Sequence, residues 1–192
     1  MGDRGLASVE FAAGDLRLRP PVPADAADAL AMLLDPQVAI WNPAPSVVDE
    51  PSAAAWLARG ADWTPGDHAT FSVLGPGRRY AGVVSLHHVD RYQATADIGY
   101  RVAPWARGRG VATTAVRAVT DWAFADLALV RIQIFHGVGN PGSCRVAEKS
   151  GYVLEGVLRS ATLYGDGRRH DDHVHARLAA DPAPRPQLPA QP

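Results

Sequence analysis

Cysteine is nearly missing from this chain. Cys144 is the single one among 192 residues, so no internal disulfide framework can form, and the composition fits a reducing compartment. Lysine is as scarce, with Lys149 standing alone against an arginine background. No apolar stretch approaches the ~18 residues of a membrane span, and Met1-Gly2-Asp3-Arg4 does not open a signal-like apolar run. The expectation is a cytoplasmic protein with no membrane partner. Neither sign of charge is in excess: 19 Lys and Arg against 20 Asp and Glu leave a formal net charge of −1, which gives no global field to recruit nucleic acid. Internal repeats are also lacking. What remains is 47% hydrophobic and 20% charged, enough for one sizeable globular core.

The periodicity divides the chain into a segment 1–14, a domain 15–180 and a tail 181–192. The tail, Asp-Pro-Ala-Pro-Arg-Pro-Gln-Leu-Pro-Ala-Gln-Pro, is proline-rich and poor in apolar groups, so it is expected to be disordered. Asp15–Arg19 reads as a short strand. Asp25–Leu34 reads as a helix, with Ala27, Leu30, Leu33 and Leu34 on one face and Pro36 beyond its stop. Pro51–Arg59 reads as a second helix, capped by Asp49 with Trp56 and Leu57 inward. Strand-like runs follow at Thr70–Leu74, Tyr80–His87 and Thr95–Val102, the first two joined by Gly75-Pro76-Gly77. A long amphipathic helix spans Gly108–Asp126. Leu129–Phe135 is a strand, Asn140–Ser150 a short helix with Gly151 at its end, and Tyr152–Leu158, Ser160–Tyr164 and Asp172–Leu178 are strands. This order gives an α/β domain with a mixed, largely antiparallel sheet.

The most informative segment is Tyr100-Arg-Val-Ala-Pro-Trp-Ala-Arg-Gly-Arg-Gly-Val-Ala-Thr-Thr114. A strand ends at Pro104, and a loop with Arg107, Gly108, Arg109 and Gly110 opens straight into a helix. The first helical turn carries unpaired N–H groups and the positive end of the peptide dipole, and glycines admit a ligand close to the backbone. This pattern suits a phosphate or pyrophosphate. A P-loop needs Gly-Lys-Ser/Thr, and the one lysine lies elsewhere. A Rossmann turn needs a third glycine where Thr113 stands, within a parallel βαβ unit.

Arg107-x-x-Gly110-x-Ala112 instead resembles the (Gln/Arg)-x-x-Gly-x-(Gly/Ala) signature of the GNAT superfamily of N-acetyltransferases. Downstream, Asn140-Pro-Gly-Ser-Cys-Arg-Val-Ala-Glu-Lys-Ser-Gly-Tyr-Val-Leu-Glu-Gly156 is similar to a block of the branch containing ribosomal-protein N-terminal acetyltransferases. Asp97-Ile-Gly-Tyr100 resembles that branch's Glu-Ile-Gly-Tyr strand. In element order the resemblance runs from about Leu16 to Leu178.

The resemblance implies a splayed pair of strands, Asp97–Val102 and Leu129–Phe135, holding the pantetheine arm of acetyl-CoA against the backbone of Tyr100, Arg101 and Val102. It implies that Arg107, Gly108, Arg109, Gly110, Val111, Ala112 and Thr113 hold the pyrophosphate, and that Asn140 and Ser143 face the thioester. Asp97 takes the place of a family glutamate that serves as general base, with ion pairing to an arginine as the structural alternative. Ser143 stands where many members use a tyrosine to protonate the leaving thiolate, with helix capping as its alternative.

Cys144, near a helix start, could be an activated thiol or a small packing residue, and direct transfer in a ternary complex requires no thiol. Asp171, His173 and His175 would share a strand face, but no further partner motif accompanies them, so no metal is expected. Trp41 and Trp63 lie in loop-like sequence and, with His87 and Asp97, are the expected acceptor contacts. The expected activity moves an acetyl group from acetyl-CoA to a primary amine of a small molecule or a peptide or protein N-terminus. The alternative is a CoA-binding regulatory module with weak turnover. A monomer or homodimer is expected.

Overall fold

The computed structural model describes residues 5–184, so most of the expected disordered tail lies outside the described residues. Eight strands form one sheet: Phe11–Ala13 (β1), Leu16–Arg19 (β2), Ala69–Leu74 (β3), Tyr80–Asp90 (β4), Thr95–Val102 (β5), Arg131–Gly137 (β6), Val153–Leu163 (β7) and Arg169–Leu178 (β8). Their spatial order is β1-β2-β3-β4-β5-β6-β8-β7, and among the described residues only β5 and β6 run parallel. The helices are Ala26–Leu33 (α1), Pro36–Trp41 (α2), Glu50–Ala61 (α3), Val111–Asp126 (α4) and Pro141–Lys149 (α5). The result is a mixed and mostly antiparallel sheet flanked by helices, the architecture that the resemblance to the GNAT superfamily implies.

The sheet has a core on each face. Phe71, Val84, Leu86 and Ile98 meet Ala115, Val116 and Val119 of α4 on one side, whereas Val83 and Tyr80 meet Ala29, Met32 and Leu57 of the first three helices on the other. Because the sheet is covered on both faces, β3 and most of β4 are buried at every position rather than at alternate ones.

Four sequence expectations are corrected. Pro36 does not merely follow a helix: Asp35 accepts hydrogen bonds from the N–H groups of Gln37 and Val38, and Pro36 opens α2, suiting a first turn that has no use for its missing N–H. β1 pairs with β2 and extends the sheet upstream of residue 15. The two expected strands Tyr152–Leu158 and Ser160–Tyr164 are one strand, β7, which stays paired with β8 through register shifts at Leu154/Gly156 and Leu158/Thr162. α4 starts at Val111 rather than Gly108, because Gly108 and Gly110 both take φ of 75°, which a right-handed helix cannot contain.

One buried polar cluster ties the N-terminal layer together. Asp25, 5% exposed, accepts two hydrogen bonds from Arg19 (2.7 and 2.9 Å), one from Ser72 Oγ (2.7 Å) and one from the Val22 N–H (3.1 Å). Burial works to raise the Asp25 pKa, but the bonds from Arg19 and Ser72 outweigh it and hold the carboxyl below its ordinary 3.8. A depressed carboxyl stabilises the fold above the ordinary value, and that contribution is lost as pH falls through the lower folded value. Asp25→Ala strands Arg19 in a buried setting, and we expect a loss of about 3–5 kcal/mol by urea titration at neutral pH.

Candidate active site

The pairing of β5 with β6 is short. Thr95, Ala96 and Asp97 face Arg131, Ile132 and Gln133, and there the parallel ladder stops. Beyond it β5 continues on β4 as far as Val102, while β6 continues on β8 as far as Gly137. The two strands therefore diverge, and one edge of β5 from Ile98 onward has no strand beside it. Asp97 sits at the fork.

A cleft of about 440 Å³ fills the opening. Its floor is Tyr100, Arg101 and Val102, and one end is Arg107, Gly108, Gly110, Val111, Ala112 and Thr113. The N-cap of α4 is Gly110, which has no side chain to cap the first turn, so backbone N–H groups at that end point outward to the cleft. Asn140, Gly142 and Ser143 at the start of α5 form the facing wall. Here Asn140 Oδ1 accepts from the Ser143 N–H at 3.2 Å, so the asparagine caps α5 while facing the cleft.

Of the residues expected to hold a cofactor, the structure gathers all but Arg109, which is exposed and faces a separate depression beside Trp105 and Tyr80. Arg107 is ion-paired to Asp35, so its guanidinium braces α2 against the turn besides adding charge at the cleft rim. The Arg107 bond is also the first cause that holds the Asp35 carboxyl below its usual range.

A second cleft of about 450 Å³ opens nearby and shares Asn42, Tyr100 and Arg101 with the first. Trp56, His68, His87, Asp97 and Phe135 also line it. Asp97 accepts from His88 Nδ1 at 2.8 Å, so its partner is an exposed histidine rather than the anticipated arginine. His87 lies directly across the β4–β5 pair from Asp97.

The tryptophans exchange places relative to expectation. Trp63 is 2% exposed and packs against Phe71 and Trp122, with its indole N–H donating to the Gly60 carbonyl at 3.0 Å. It lies in the core and cannot wall the acceptor site. Trp56, expected inward, is half-buried, carries Arg101 over its ring at 5.5 Å, and lines the second cleft. Trp41 does reach the first cleft, wedged between Gly137, Gly139 and the Tyr164 ring. A Cβ on Gly137 would come within 2.7 Å of that indole, so the glycine makes room for it.

The Tyr100 hydroxyl was missed by sequence reasoning, which used only that residue's backbone. It lies 2.8 Å from Ser143 Oγ, across the junction of the two clefts. Burial pushes its pKa up to about 12, so the phenol stays protonated and able to donate. Nothing in the local sequence signals this pairing, because the partners lie on different elements.

The Acetyltransferase (GNAT) domain family matches residues 15–153, and the chain belongs to that family. A Bacillus subtilis protein provisionally named a ribosomal N-acetyltransferase is 40% identical over 90 residues, covering 47% of this chain and 49% of that protein. The ribosomal-protein-serine acetyltransferase of Escherichia coli is 33% identical over 98 residues, covering 50% and 54%. The chain thus spans about half the length of these curated relatives. In fold it is similar to a ribosomal L7/L12 alpha-N-protein acetyltransferase solved with coenzyme A, at a TM-score of 0.80 and 22% identity, over 90% of this chain and 100% of that one. Among the described residues no helix is long and apolar enough to cross a membrane.

His87 offers a direct check on the second cleft. Desolvation of its ring, then the Arg101 guanidinium, pushes its pKa down to about 4, although the residue as a whole is exposed. With a folded pKa below the ordinary 6.5, the unfolded chain takes the proton first, so this group costs stability as pH falls from 6.5 toward 4. NMR titration of the His87 ring is expected to give a midpoint below 6.5.

Proposed function

We propose that this protein is an acetyl-CoA-dependent N-acetyltransferase that acts on a primary amine, of a small molecule or of a peptide or protein N-terminus, by direct transfer. The observation that carries the reading is the cleft between diverging strands that ends on the uncapped start of α4. In this reading, the N–H groups of Val111, Ala112 and Thr113, behind Gly108 and Gly110, hold the pyrophosphate with help from the helix dipole. The open edge of β5 at Tyr100–Val102 hydrogen-bonds the amide-rich pantetheine arm. That places the thioester beside Asn140, Ser143 and the Tyr100 hydroxyl.

The amine enters through the second cleft, which meets the first at Tyr100 and Arg101. A protonated alkylamine has a pKa of about 10 and cannot attack until it loses a proton. Asp97, at the fork, receives that proton through a water, since aspartate reaches one methylene less far than glutamate. The amine nitrogen then bonds to the carbonyl carbon, the C–S bond breaks, the thiolate of CoA leaves, and the nitrogen gives up its second proton to solvent to become the neutral amide. A backbone N–H near Val102 polarises the carbonyl. Ser143 and Tyr100 donate hydrogen bonds to the departing sulfur; both remain protonated, and solvent supplies the proton that makes the free thiol. Trp41, Trp56 and His87 bound the space left for the acceptor. The ribosomal-protein names of the relatives favour including peptide N-termini among the acceptors tested.

Incubating the chain with acetyl-CoA and a panel of N-terminal peptides and small amines, with release of free thiol as the readout, tests the reading. No thiol above background with any amine would overturn it. Gly110→Val forces a β-branched residue to φ of 75° and closes the turn. We expect CoA binding to vanish in calorimetry while the circular dichroism spectrum is retained. Asp97→Asn keeps shape and removes basicity, so turnover at neutral pH is expected to fall by ~10²–10⁴-fold with CoA affinity unchanged. The deficit should shrink at high pH, where the amine arrives deprotonated. A rise confined to KM would instead make Asp97 an anchor for the cationic amine.

A further inference from the structure

Behind α5, on the side of the helix away from the first cleft, His136, Cys144, His173 and His175 converge. β6 and β8 are antiparallel neighbours in which His136 pairs with His173 and Ile134 with His175, so all three imidazoles project from the same sheet face. Cys144 descends onto them from α5, with Sγ 3.9 Å from His175 Nε2. The four residues each bring one donor atom within 4.8 Å of the others. The His136 and His175 rings stack with centroids 5.1 Å apart, and the His136 and His173 rings meet edge to face at 5.3 Å. Asp171, which shares their alternation, is exposed and accepts from the Ser160 N–H, so it stands outside the cluster.

Histidine clusters in a protein interior normally satisfy their ring nitrogens. This one does not. His136 is 5% exposed and His175 is fully buried, yet among the described residues His136 Nε2 and His173 Nδ1 have no hydrogen-bond partner, and His175 keeps at most a backbone contact at Tyr152. Each unsatisfied buried polar atom costs ~1–3 kcal/mol, so two together in one spot call for a partner. The other nitrogen of His136 is engaged: Nδ1 donates to the Gly137 carbonyl at 3.0 Å. That bond fixes the tautomer in which Nε2 carries a free lone pair. It is the arrangement that metal-binding histidines use to orient and strengthen their donor nitrogen.

We propose that His136, Cys144, His173 and His175 form a tetrahedral zinc site that fastens α5 to β6 and β8. Imidazole and thiolate are the donors Zn²⁺ prefers, and four protein donors with no open position describe a structural rather than a catalytic ion. Zinc–ligand distances of about 2.0–2.3 Å put the donors of a tetrahedron roughly 3.3–3.7 Å apart, so the present set has to close by about an ångström. On binding, the Cys144 S–H bond is replaced by a Zn–S bond and its proton passes to water. Three neutral imidazoles and one thiolate around Zn²⁺ leave a net charge of +1. The Glu148 carboxylate, 3.6 Å from Cys144 Sγ, stands ready to offset it.

The experiment uses the full chain without an affinity tag, stripped with EDTA and titrated with Zn²⁺ alone against a chromophoric chelator, with metal content measured by mass spectrometry. One zinc per chain is expected, with affinity at least ~100-fold weaker in Cys144→Ala and in His136→Gln. Co²⁺ should give the intense visible bands of a tetrahedral thiolate complex in the wild type and lose them in Cys144→Ala. Cys144 is only half-buried, so Cys144→Ala decides the matter should His136→Gln fail to fold. Substoichiometric zinc, unchanged affinity in Cys144→Ala, or selective uptake of copper or iron instead would overturn the proposal.

Discussion

Everything about this site follows from the point at which β5 and β6 stop pairing. Three residue pairs hold the strands together, and past Asp97 and Gln133 they part. In a continuous sheet the peptide groups of Ile98–Val102 would be satisfied on both edges. Here the β4 edge is satisfied and the other edge is left facing a cleft. Buried backbone groups without partners are costly, so an edge left this way in the middle of a sheet demands an amide-rich occupant or water. The divergence is maintained because each strand keeps its other neighbour: β4 carries β5 to Val102, and β8 carries β6 to Gly137.

The flanking elements are arranged around that opening. α4 begins at one end of it with two left-handed glycines and no capping side chain, which leaves dipole and donors directed at the same space. Arg107 cannot drift from the turn because Asp35 holds it, and Asp35 is at the same time the cap of α2. α2 in turn places Trp41 against Gly137 and Tyr164 at the far side. One ion pair thus couples the glycine-rich turn to the aromatic wall. Tyr100 and Arg101 serve both clefts because alternate residues of a strand point to opposite sides, and at an unpaired edge both sides are open.

α5 does the remaining positioning. Its first turn presents Asn140 and Ser143 to the first cleft, while Ala147 enters the core and Cys144 faces the imidazoles of β6 and β8. A short helix of Pro141–Lys149 has little stability of its own, so what it rests on decides how firmly Ser143 meets Tyr100. An ion bound below Cys144 would supply that anchorage without touching the reaction.

The sequence by itself determined the elements and the family. Strand alternation, caps such as Asp49 and Asn140, and the glycine-rich turn at Gly108 and Gly110 are local signals, set by backbone conformations within a few residues, so they could be read in one dimension. Where two local signals overlapped, the reading slipped: Pro36 ended one helix and began another, and bulged β7 resembled two strands. What only the tertiary structure decided are relations between distant residues. Burial separates Trp56 from Trp63, two similar aromatics seven positions apart on or beside one helix, because only the packing around Phe71 and Trp122 tells which is enclosed. The Tyr100–Ser143 bond and the meeting of Cys144 with His136, His173 and His175 join β5, β6, α5 and β8. No motif spacing encodes them, since a contact across a sheet depends on register and crossing geometry rather than on separation along the chain.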